Sequence, residues 1–165
     1  MMVNMTIRLP IYLFSTLFLL ALYGCGRPVI KPVQTPAYTG ATSEQVIKIA
    51  RSMLGTPYRY GGRSPKTGFD CSGLVYFSFL QIGITLPRTS QGQFSSSTPI
   101  AKTAIQRGDL LFFRINRRKI SHVGIYLGNN RFVHSPSPGK KVSIAKLDSP
   151  YWRKRFARGG RIKLN

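Results

Sequence analysis

A thiol attacks carbonyl carbon well only as its thiolate, and it needs a base beside it and a third group to orient that base. The chain has two cysteines and two histidines from which such a set could be drawn. Cys71 lies in the stretch GFDCSGLVYF, beside Asp70, one of only four acidic residues, and just ahead of an apolar run with helical spacing. At a helix start the free amides and the helix dipole favour negative charge, so a lowered thiol pKa is expected for Cys71. Asp70 falls at the N-cap position, where its carboxylate accepts from first-turn amides instead of facing the sulfur. The plain alternative is a small buried apolar residue on the core face.

His122 and His134 both fall in SHVGIYLGNNRFVHS, which reads as a β-hairpin turning at Gly128 to Asn130. A three-residue loop pairs Leu127 with Arg131 and Gly124 with His134. It places both imidazoles on one face, diagonal and within reach of each other. A two-residue loop would turn one strand over and separate them. Gly-Asn-Asn can supply the left-handed residue of a three-residue loop, so the shared face is expected. Val123, Ile125 and Leu127 then point the other way, toward the core, and Gly124 leaves room beside the histidines. One cysteine and two histidines could also begin a metal site, but such a site needs a further ligand or an open water position. With few carboxylates to spare, no metal and no other cofactor is expected. The pattern favours a cysteine nucleophile.

The elements that must position these groups can be read in order. TSEQVIKIARSMLG is a helix with a capping box between Thr42 and Gln45, an apolar face of Val46, Ile47, Ala50, Met53 and Leu54, and Gly55 as its C-terminal cap. A Gly- and Pro-rich loop leads to Asp70. The second helix sets Cys71, Leu74, Val75, Ser78, Phe79 and Ile82 on one face and ends at Gly83. A polar segment follows, with a short helix near Ser90 to Phe94. Strands are expected at DLLFFRI, in the hairpin, at KKVSIAKL after a Pro138-Gly139 turn, and near Arg161 to Leu164, with a basic turn at INRRK. Helices first and antiparallel strands after make this an α+β fold.

The chain ends and the charge bound the setting. Residues 1–25 carry Arg8, an apolar run from Leu9 to Leu22 and small residues around Cys25, the plan of an export signal. The ending LYGC resembles a bacterial lipobox, with Tyr23 off pattern, which would make Cys25 the lipid-bearing mature N-terminus. A membrane-anchor helix and a Cys25–Cys71 disulfide are the competing readings. Residues 26–41, with Pro28, Pro32 and Pro36, read as a flexible tether. The domain spans 42–165. Twenty-five Lys and Arg against four Asp and Glu give a net charge of +21, so anionic polymers are expected partners. RINRRK and the tail from Arg153 to Lys163 could serve nucleic acid, but an exported protein meets little of it, and no nucleic-acid partner is expected.

Six ordered blocks, GTPYRYGG, GFDCSGLV, LPRTSQGQ, RGDLLFF, SHVGIYLGNNRFVHS and PYWRKRF, span Gly55 to Phe156. Together they resemble the NlpC family of bacterial cell-wall cysteine peptidases, above all its lipoprotein murein endopeptidases. The resemblance implies a papain-like fold with the nucleophile on a helix packed against an antiparallel sheet. It implies Cys71 as nucleophile, His122 as base, His134 as the group that orients it, and Tyr58 as an oxyanion donor beside the Cys71 amide. Asp70 and Ser72 match positions that hold the substrate's peptide stem in some relatives. The implied reaction is hydrolysis of a diaminopimelate-containing amide bond in peptidoglycan, in a cross-link or a stem, with lipoprotein relatives leaning to the cross-link. A monomer is expected, lipid-anchored through Cys25 in the bacterial cell envelope and facing the periplasm from the outer membrane. A silent wall-binding lipoprotein and an amidase or acyltransferase on the same fold are the rival readings.

Overall fold

The computed structural model describes residues 42–115 and 119–164. The expected signal segment with Cys25, the tether and most of the INRRK turn lie outside the described residues.

The first helix, α1 (Ser43–Ser52), starts where the sequence places it. Thr42 accepts from the Gln45 amide at 3.3 Å, and the Gln45 side chain accepts from the Thr42 amide at 2.8 Å. Val46, Ile47 and Ala50 are buried, but Leu54 lies beyond the helix and is exposed. The helix stops at Met53, ahead of Gly55. Gly55 instead takes a positive φ of 85° and sends its N–H to the Val142 carbonyl at 3.0 Å. The loop toward Asp70 is more ordered than a Gly-rich stretch promises, since β1 (Arg63–Ser64) and β2 (Gly68–Phe69) form a small ribbon within it.

Helix α2 (Cys71–Leu80) follows, with Leu74, Val75, Ser78 and Phe79 buried as expected. Helix α3 (Ser90–Ser96) is capped by Thr89, whose hydroxyl accepts from the Gly92 amide at 3.1 Å. Then come β3 (Thr98–Ile100), a single 3-10 turn at Lys102–Ala104, β4 (Leu110–Phe113), β5 (His122–Gly128), β6 (Arg131–His134) and β7 (Ser143–Lys146). The tail departs from expectation. PYWRKR is a helix, α4 (Pro150–Arg155), and the last strand β8 covers Phe156–Arg161, earlier than Arg161 to Leu164. Proline at the first helical position suits α4, since that residue has no intrahelical acceptor for an N–H. β8 does not lie at the margin of the sheet. The six-stranded order is β3-β8-β4-β5-β6-β7, antiparallel throughout, with β8 between β3 and β4.

All four residues of β4 are buried, and they alternate between two clusters. Leu110 and Phe112 join Val123, Ile125 and Val133 beneath α1 and α2. Leu111 and Phe113 join Phe132 and Leu147 on the opposite sheet face, against Trp152 and Phe156. A sheet covered on both faces reads as a continuous apolar run, as LLFF does.

Candidate active site

The hairpin solves its register problem differently from the expected three-residue loop. Gly128 pairs with Arg131, so the loop is only Asn129-Asn130, both with positive φ, at 49° and 57°. That is the primed-turn geometry favoured in two-residue hairpins. Yet Tyr126 pairs with Phe132 and Ile125 with Val133, because Leu127 is bulged out of the ladder. The bulge absorbs the odd residue and restores the register that joins the histidines. His122 Nε2 lies 3.0 Å from His134 Nδ1, with both rings buried. Val123, Ile125 and Leu127 face the main core as expected. Gly124 does not leave space for the histidines. A Cβ there would lie 2.5 Å from the Phe132 ring, which fills the room.

The imidazoles sit in an aromatic box. Trp152 from α4 stacks on His122, with centroids 5.2 Å apart and planes at 28°, and meets His134 edge-on at 4.9 Å. Phe113 and Phe132 support the indole at 4.8 and 5.1 Å. Burial drives both histidines toward the neutral form. It lowers His122 to about 3, helped by His134, and His134 to about 4, helped by the positive charge of Lys140. With His122 Nε2 committed to His134, its Nδ1 remains for proton exchange with a nucleophile.

Cys71 is a free thiol at the first position of α2. The N–H of Val123, the residue after His122, hydrogen-bonds toward its sulfur, so Cys71 lies against the start of β5. Its expected low pKa is not what the site produces. Crowding by protein atoms, and after it the Asp70 charge, push the thiol up to about 11, against the opposing pull of the Val123, Ser72 and Cys71 amides. The dipole argument misses this because Asp70 takes up much of the helix end. Asp70 Oδ1 accepts from the Gly73 amide at 2.7 Å.

Asp70 also ties the site together. Its two oxygens form a fork with Arg88, at 2.9 and 2.8 Å, and Oδ2 accepts from the Gly61 amide at 3.0 Å. Ser72 donates to Asp70 and accepts from Arg88 at 3.1 Å. Asp70, Ser72 and Arg88 line a cleft of about 410 Å³ with Cys71, Tyr58, Tyr60 and Ser121. Tyr58 is held as a phenol, its pKa raised by burial and then by the negative charge that Cys71 and Asp70 can carry, so it can donate into the cleft. The structure thus brings together Cys71, Tyr58, Asp70 and Ser72 around the cleft, and His122 with His134 beside it. Three residues given no role from the sequence also matter. Arg88 binds Asp70. Gln93 is fully buried and donates to the carbonyls of Ser72 and Pro87 at 3.0 and 2.9 Å. Trp152 covers the histidines. Arg88 and Gln93 sit in LPRTSQGQ, a polar stretch with no periodicity to mark an inward face.

A helix with a cysteine at its first position, packed against an antiparallel sheet that carries a histidine, is the arrangement of the papain-like α+β class. Within that class the chain belongs to the NlpC/P60 family, whose pattern matches residues 55–161. The murein DD-endopeptidase MepH of Escherichia coli is 38% identical over 130 residues, which cover 74% of this chain and 48% of that protein. The bifunctional muramidase/DL-endopeptidase CwlT of Bacillus subtilis is 46% identical over 122 residues, 73% of this chain and 36% of that protein. The match spans half or less of the length of both relatives. The crystal structure of an NlpC/P60 family protein from Bacillus cereus superposes with a TM-score of 0.70 at 32% identity, over 74% of this chain and 40% of that one.

Proposed function

We propose that this chain is a peptidoglycan endopeptidase that hydrolyses amide bonds of murein stem peptides or their cross-links. The observation that carries the reading is the 3.0 Å His122–His134 hydrogen bond, set beside a thiol at a helix start. Names of relatives support it, and they divide between DD- and DL-endopeptidases. The bond cut therefore belongs to the proposal, and a diaminopimelate-containing bond is the reading adopted here.

In the proposed reaction Cys71 gives its proton to His122 Nδ1 as its sulfur attacks the carbonyl carbon. The C–S bond forms, and the negative charge moves to the carbonyl oxygen. The Cys71 amide and the Tyr58 hydroxyl are placed to donate to that oxygen. His122 then protonates the departing nitrogen as the C–N bond breaks, leaving a thioester. A water gives its proton to His122, attacks the thioester carbon and releases the acid and the thiol. His134 holds His122 in the tautomer protonated at Nε2, though a neutral imidazole stabilises imidazolium less than a carboxylate does.

The setting is inferred with the activity. A lipid on Cys25 would hold the domain at the envelope, facing the periplasm from the outer membrane, and the basic surface would keep it near anionic envelope polymers. The test is digestion of purified peptidoglycan by the full chain and by its Cys71→Ala variant, with released muropeptides identified by mass spectrometry. Cys71-dependent loss of cross-linked dimers or of intact stems is expected and names the bond. Retention on the sacculus with no cleavage would replace the enzyme with a silent wall-binding protein.

A further inference from the structure

A second cavity, of about 370 Å³, adjoins the histidine pair, and Cys71 is not among its described lining residues. That size lies within the range of small-molecule and residue-binding pockets. Both histidines line it, with Trp152 as an apolar wall and Ser137, Ser143 and Lys140 as polar groups. No carboxylate is among its described lining residues. Lys140 is exposed, and its charge is felt at His134, which it helps keep neutral. With both imidazoles uncharged, Lys140 carries the only charge among the described residues of the lining. The cavity is anchored to the nucleophile's loop as well. The Tyr58 amide donates to the Lys140 carbonyl at 2.8 Å, and Pro57 bridges Lys141. Tyr58 and Lys140 thus join the walls of the two pockets.

Reaction chemistry assigns a side to each pocket. The acyl half of a substrate stays on Cys71 as the thioester, in the cleft of Asp70, Ser72 and Arg88. The amine half takes its proton from His122 and leaves past it, so it lies at the histidine cavity. We infer that this cavity receives the amine-side residue of the substrate and that Lys140 pairs there with a free carboxylate on the carbon bearing the scissile nitrogen. The inference rests on the endopeptidase reading above. A diamino diacid offers two such carbons. In a cross-link the acylated far amine sits beside a free carboxylate. In a stem bond the near carboxylate is itself tied up as an amide, with no charge to offer. The cavity therefore selects the cross-link over the stem bond.

The test uses the full chain and two cross-linked muropeptide dimers, identical except that the far-centre carboxylate is free in one and a primary amide in the other. Wild type should cleave the free acid about tenfold better in kcat/KM, the scale of one charge-assisted hydrogen bond. Lys140→Ala should lose about tenfold on the free acid and less than threefold on the amide, and Lys140→Arg should recover most of the loss. Lys140 is exposed, so the variants should fold. Wild-type cleavage of both dimers at equal rates, or an equal loss on both from Lys140→Ala, overturns the pocket assignment and leaves the endopeptidase standing. Cleavage of neither dimer by wild type overturns both.

Discussion

At rest Cys71 and His122 are both neutral, because each is crowded by protein atoms and burial disfavours charge. The proton must therefore move as the sulfur attacks, with no ion pair standing ready. Alkylation of the unliganded enzyme by iodoacetamide should accelerate with pH and approach its midpoint only near 11. Asp70→Asn removes the charge that helps hold the proton on sulfur, so the midpoint should move to lower pH. A rate already saturated at neutral pH would mean that a thiolate is preformed. The histidines make a linked prediction about stability. Both have folded pKa values below the ordinary 6.5, at about 3 and about 4, so the unfolded chain binds protons that the folded chain refuses. Their contribution is complete above pH 6.5 and is lost as pH falls toward 4 and 3. The dependence is steep, at about 1.4 kcal/mol per pH unit for each histidine between its unfolded and folded values. Urea unfolding between pH 7 and 4 should show that fall, and the double variant His122→Gln/His134→Gln should flatten it.

Among the elements, the β5–β6 hairpin decides whether a site exists. Its aromatic packing leaves little tolerance at Gly124, where an added Cβ would strike both the Phe132 ring and, at 2.9 Å, the Val133 carbonyl. Gly124→Ala should therefore cost about 1–3 kcal/mol as overpacking. Because Phe132 lies 5.0 Å from His134, turnover should fall with stability. Thermal unfolding and a peptidoglycan-release assay check both. The hairpin also shows what could be read in advance. Alternating apolar residues and two histidines fixed the faces, because a buried face tolerates only one register. The means of reaching that register was hidden, since a three-residue loop and a two-residue loop with a bulge leave the same pattern in the strands. Helices α1 and α2 were legible from their caps, Thr42 with Gln45 and Asp70. β8 starts earlier than its expected place near Arg161 because FARGGR carries two glycines, which have low strand propensity. In the sheet, Ser97 and the Phe112 ring occupy the space a side chain at Gly160 would need. The thiol's pKa was misjudged because crowding around the sulfur is a tertiary property that a helix-start motif does not record.

Across the molecule, charge is arranged asymmetrically. Three of the four acidic residues are clamped by arginine, Asp70 by Arg88, Asp109 by Arg161 and Glu44 by Arg107, each at 2.7–2.8 Å. Against four acidic residues the chain carries twenty-five Lys and Arg, so the field outside the protein is strongly positive. Retention of the Cys71→Ala variant on sacculi should drop steeply as salt is raised from about 0.05 to 0.5 M, since screening shortens the reach of exposed charges. Retention indifferent to salt would remove the basic surface as its cause. Trp152 adds a property of a different kind. It is the chain's one tryptophan, and it is stacked on His122. All indole emission from this protein thus originates against His122. Imidazolium quenches indole more strongly than imidazole does, so emission should dim as the pair takes up a proton and recover as it gives one up. Under the proposed reaction the molecule carries its own fluorophore at the point of proton transfer, and stopped-flow emission should time acylation and release without a label.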